Sequence, residues 1–109
     1  SGSLNDAAGN VREIVNNTKT GTYTLTANDV GELINTNSNV TIPSGVFSAG
    51  QAITIYNNSS GNITIARSGV TAYSVGTSTN SDKTLAQKGV ATVMCVSANT
   101  FVVIGGGLS

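Results

Sequence analysis

The chain has no histidine and no tryptophan, a single cysteine, a single proline, and only five basic and five acidic residues among 109. Without histidine, a Ser-His-Asp or Cys-His nucleophile has no base, and a zinc site loses its usual clustered Cys and His ligands. The five acids, Asp6, Glu13, Asp29, Glu32 and Asp82, are too dispersed for a calcium loop. They also offer no evident pair for glycoside hydrolysis. Gly105-Gly106-Gly107 precedes no helix and so is a strand exit, not a phosphate cradle. The expectation is a protein that is not an enzyme and carries no cofactor or metal.

Partners are narrowed in the same way. Arg12, Lys19, Arg67, Lys83 and Lys88 are scattered and balanced by acids, which leaves no basic patch to neutralise phosphates. Nucleic acid is excluded on that ground. No apolar run approaches the ~20 residues of a membrane helix, and no basic and apolar leader precedes a cleavage site, so membrane insertion is not expected. One cysteine cannot form an internal disulfide. Cys95 lies in the apolar run Val93-Met94-Cys95-Val96, where a free thiol serves as a small hydrophobe.

What the chain does contain is 13 Ser, 15 Thr, 13 Asn and 13 Gly, about half of its residues. Disordered chains share such polarity, but they are poor in β-branched residues and rich in net charge. Here β-branched residues are abundant and net charge is zero, so a folded β-protein is expected. Its clearest signature is a recurring tripeptide: Val40-Thr41-Ile42, Ile53-Thr54-Ile55 and Ile63-Thr64-Ile65. Strand side chains alternate with period 2, so each copy sends two β-branched aliphatics to one face and a threonine to the other.

Ser1-Gly2-Ser3 reads as an expression scar. Residues 4–21 read as a lead-in, the end of a stalk. Its spacing of Leu4, Ala7, Ala8, Val11, Ile14 and Val15 suits one helix face, weakened by Gly9 and Asn10, while Val11 to Val15 also suits an extended strand; the lead-in is read as helical or irregular to about Asn10. Residues 22–109 read as one β-domain. Within it, Thr26 and Asp29 are spaced like a capping box, and Gly31 is placed to end a single helical turn. Residues 51–56 and 62–66, joined by Asn57-Asn58-Ser59-Ser60-Gly61, read as a hairpin with Ile53, Ile55, Ile63 and Ile65 inside and Thr54, Tyr56 and Thr64 outside. Residues 67–83 show least pattern, as functional or connecting loops do.

The last segment differs. Gly89 to Ala98 and Phe101-Val102-Val103-Ile104 read as a second hairpin that is apolar on both faces, as in strands covered from two sides. The second cover is either a neighbouring sheet or another copy of the chain. Val93, Cys95, Phe101 and Val103 are the candidate oligomer-interface residues. For ligand binding, Tyr73 and Tyr56 offer amphipathic rings, with Arg67 or Asp82 near them in sequence. Each tyrosine is equally suited to packing along a sheet edge.

Several of these segments occur together in order: Tyr23 to Ile34, Asn39-Val40-Thr41-Ile42-Pro43, Gly50 to Asn57, Gly61-Asn62-Ile63-Thr64-Ile65, and Phe101-Val102-Val103-Ile104-Gly105. In that order and spacing the chain resembles a β-rich module of tailed-bacteriophage fibre and appendage proteins. The resemblance carries no catalytic or binding residues. It implies an all-β fold, a small antiparallel β-sandwich or barrel-like domain, assembled as a homotrimer and exposed on a virion. The implied role is host-surface attachment, fibre trimerisation or both, with a host cell-surface glycan or protein and other virion proteins as partners. A capsid-decorating head fibre acting only in assembly is the alternative.

Overall fold

Alternation decides what lies inside. Val40, Ile42, Ile53, Ile55, Ile63 and Ile65, the six aliphatics of the three tripeptides, are all buried, while Thr41, Thr54 and Thr64 between them are half-exposed. A computed structural model describes residues 15–109. Its strands are β1 (Asn16–Lys19), β2 (Tyr23–Thr24), β3 (Leu33–Thr36), β4 (Val40–Pro43), β5 (Ala52–Asn57), β6 (Ile63–Ser68), β7 (Thr71–Ser74), β8 (Lys83–Ser97) and β9 (Thr100–Leu108). The helical expectation for the segment ending near Asn10 lies outside the described residues. β1, however, falls within the expected lead-in, so the β-domain reaches back at least to Asn16.

The strands alternate between two arms. β1, β3 and β5 lie side by side, as do β2, β4 and β6, and β8 pairs with both β5 and β6 to join the arms. The resulting nearly closed, barrel-like sheet packs one core from the inner faces of both arms, with Ile34, Ile55, Val40, Ile42 and Ile65 among its members. The all-β, barrel-like class is the expected one. The strand directions differ: within each arm neighbours run parallel, and only the pairings of β8 with β5, β6 and β9 are antiparallel.

The cause is at the corners. The expected hairpin of β5 with β6 is not formed; β8 runs between them in the sheet. A hairpin sets two strands edge to edge, whereas an arch sets them face to face, and both bury the same alternate residues. Asn57 makes the arch. It is fully buried, and its amide donates to the carbonyls of Gly61 at 2.8 Å, Leu85 at 3.0 Å and Ala86 at 3.1 Å. Its Oδ1 accepts from the backbone and hydroxyl of Ser59. Buried Thr36 stands in register with Asn57 on the next strand and turns the corresponding corner from β3 to β4.

The terminal hairpin of β8 and β9 is present, with Asn99 at its turn in the left-handed region (φ 54°). β8 begins earlier than expected and bends between Leu85 and Val90 as it passes from one arm to the other. The bend needs glycine. A Cβ on Gly89 would meet Ala86 O and Leu85 Cδ1 at 2.8 Å, and one on Gly105 would collide with Val90 O. The single helical turn is also present, as a 3-10 turn over Ala27–Asp29, with the Asp29 carboxylate accepting from the Thr26 backbone N–H at 2.8 Å.

Candidate functional surface

Two outward surfaces follow from this frame. On the β2, β4, β6 arm the outward residues are Thr24, Thr41 and Ala66 in one row, with Thr64 beside Thr84 of β8 in the next. On the other side, one row runs Ala52, Met94, Val102, Tyr73 across β5, β8, β9 and β7. A second runs Leu33, Thr54, Thr92, Ile104, and a third Asn35, Tyr56, Val90, Gly106. Val90, Met94 and Ile104 are 44%, 37% and 40% exposed. Together with Val96 at the end of β8, this is an apolar face free of charged side chains.

The expected interface residues lie on the inward side of these strands. Val93, Cys95, Phe101 and Val103 face the chain's own core, at most 3% exposed, and the Phe101 ring meets Phe47 edge-on at 5.9 Å between centroids. Both faces of the hairpin carry apolar residues, and it is the alternates Val90, Met94 and Ile104 that reach the surface. The small residues Ala91 and Cys95 were the available signal. They alternate with Val93, and a tightly packed inner face is where small side chains are needed, leaving Met94 and its alternates outside.

The expected ligand-binding residues divide. Tyr56 and Tyr73 do share the apolar face, at opposite corners of it. Arg67 and Asp82 form a separate latch: Arg67 Nε donates to Asp82 Oδ1 at 2.8 Å, as does the Arg67 backbone N–H at 3.0 Å. These two hydrogen bonds hold the Asp82 carboxyl below the usual carboxylate range. Arg67 Nη1 also donates to Asn80 Oδ1, so the guanidinium is engaged within the chain. The least patterned stretch thus contains an unforeseen strand, β7, and a loop tied across its edge.

Two buried polar groups complete the inventory. Asp29, 2% exposed, accepts from Tyr23 Oη at 2.6 Å, from Thr26, and from Asn17 Nδ2 at 3.3 Å; the same Asn17 amide donates to Glu32. Lys19 lies over the Tyr23 ring, 4.5 Å from its centroid. Burial, and then the hydrogen bond to Asp29, raise the Tyr23 phenol above its ordinary value. This cluster ties β1, β2 and the 3-10 turn together through polar side chains. Lys83 is 1% exposed and donates to Thr79 O and Ser81 Oγ, both at 3.1 Å. Burial, and secondarily the nearby Arg67, push its ammonium pKa down.

Among the described residues there is no enclosed pocket and no group of three metal-ligating side chains. No helix among them is long and apolar enough to cross a membrane. Comparison with protein-family models, curated proteins and solved structures gives no match.

Proposed function

We propose that this chain is a non-enzymatic, virion-exposed module of a tailed-phage fibre or appendage that associates with copies of itself, as a homotrimer, through the outward face of β8 and β9. The supporting observation is the uncharged row structure of that face, with Val90, Met94 and Ile104 exposed on adjacent strands. Contiguous apolar surface rimmed by polar residues marks interaction sites, whereas single exposed apolar residues do not. Burying it between copies adds apolar burial to a small domain at about 25 cal/mol per Å².

Attachment to a host surface is the second part of this reading. It is favoured by the outward threonines of the other arm, which present hydroxyls to water or to a neutral glycan without a competing charge. Assembly alone, as in a head-decorating fibre, keeps the first part and drops the second. Sedimentation velocity at micromolar concentration tests the first: a trimer in the parent and a monomer in Met94→Glu are expected, and a monomeric parent removes the self-association reading. Binding of the trimer to host cells, measured against a Thr64→Lys, Thr84→Lys variant, tests the second; equal binding by both removes the threonine surface from it.

A further inference from the structure

Among the described residues β7 is an edge strand, and its own sequence does nothing to protect the edge. Natural edges are blunted by lysine, proline, bulges or a covering segment, because unpaired N–H and C=O groups recruit other strands. Thr71-Ala72-Tyr73-Ser74 contains no charge and no proline. Its Thr71 and following Val75 N–H groups donate to Asn99 O and Val103 O on the β9 side, which turns Ala72 and Ser74 to the outer edge.

Three of the four outer groups are occupied by one loop. Ala72 N–H donates to Asn80 Oδ1 at 2.9 Å, and Ala72 O accepts from Ser81 N–H at 3.2 Å. Ser74 O accepts from both the backbone and the hydroxyl of Thr77, each at 3.0 Å. The loop is anchored on both sides of these contacts. Arg67 on β6 holds Asn80 and Asp82, and the Lys83 ammonium holds Thr79 and Ser81 from beneath.

We propose that the loop over residues 75–82 is an edge guard, with Asn80 standing in for a neighbouring strand, and that opening it makes β7 an acceptor for the β7 edge of a second copy. A second copy is the fitting occupant because it brings the same unprotected tetrapeptide. Antiparallel pairing about a two-fold axis makes the edge self-complementary, joining β9-β7 of one copy to β7-β9 of the other. The guard therefore suppresses a closed β7–β7 dimer. This inference does not depend on the face being used.

The test is Asn80→Ala with Asp82→Ala, in a Met94→Glu background that removes association through the face. Hydrogen exchange of the Ala72 amide is expected to accelerate about tenfold or more, the scale of losing one net hydrogen bond, while the Ile55 amide stays protected. At raised concentration the opened variant is expected to sediment as a dimer. Asn80→Asp, which keeps an acceptor for Ala72, should behave as the Met94→Glu parent. Should the double variant lose protection at Ile55 as well, Asn80→Ala alone, which retains the Arg67 to Asp82 pair, carries the same two readouts. An unchanged Ala72 exchange rate overturns the guard, and an opened edge that stays monomeric overturns the proposed pairing.

Discussion

The two outward surfaces of the barrel share an inward period-2 pattern and differ in how much apolar side chain they expose. The β2, β4, β6 arm shows water Thr24, Thr41, Thr64 and Ala66; the β5, β8, β9, β7 side shows Met94, Val102, Tyr73, Ile104 and Val90 around Thr54 and Thr92. Beneath both, the inward residues are apolar and at or near full burial: β-branched aliphatics such as Val40, Ile42 and Ile65 on one side, and Val93 and Val103 with Ala91, Cys95 and Phe101 on the other. The inside therefore sets the fold, and the outside is free to set what the fold meets. A threonine keeps β-branched strand character while supplying a hydroxyl, so the difference between the surfaces costs the sheet little.

The largest expected effect separates the faces of one strand. Val93→Asp places an uncompensated carboxylate in the core and should cost about 3–5 kcal/mol in denaturant unfolding. Met94→Glu, one residue on, should change monomer stability by no more than about 0.5 kcal/mol. Equal losses at the two positions would erase the inside and outside distinction. Next comes Asn57→Ala, which removes the side-chain donor to the carbonyls of Leu85 and Ala86 and one of the two donors to that of Gly61, the other being the Ser59 hydroxyl. A loss of about 2–4 kcal/mol is expected from unsatisfied buried polar groups; a loss under about 1 kcal/mol would mean that another group makes the corner.

Smaller effects sharpen the contrast from the threonine side. Thr64→Val with Thr84→Val, directly opposed on β6 and β8, should leave folding intact and add self-association through a second surface, seen as species larger than the parent's in light scattering. Unchanged size would show that apolarity alone does not make a face adhesive. The smallest effect is at Lys83. Its folded pKa lies below the ordinary value, so between that lowered value and about 10.4 the unfolded chain binds more protons. Stability then rises with pH through this window. Lys83→Met removes that rise, so the stability of the variant relative to the parent should fall as pH increases from 8 to 10.5. A constant gap would mean that the buried ammonium titrates normally.

How much of this was legible in the residues depends on what alternation can report. Period 2 placed Ile53, Ile55, Ile63 and Ile65 inside, and the Thr26 to Asp29 spacing placed the 3-10 turn. Alternation says which residues share a face, but a hairpin and an arch bury the same face, so the parallel arms were not legible. Their determinants are single buried polar side chains, Thr36 and Asn57, which in sequence resemble any other turn residue of an Asn-rich chain. In β8 both parities are apolar, and periodicity was silent on which faced inward. Sequence proximity offers Arg67 or Asp82 as a companion to the tyrosines; that the two bind each other and fix the loop over β7 is a contact fifteen residues apart, which proximity does not report.

The central claim is that the outward face of β8 and β9 joins copies of this chain. Sedimentation equilibrium of the parent beside Met94→Glu, at matched micromolar concentrations and with circular dichroism to confirm equal folding, tests it most directly. The account predicts a trimer mass for the parent and a monomer mass for the variant; a folded parent of monomer mass, or a variant that remains trimeric, contradicts it.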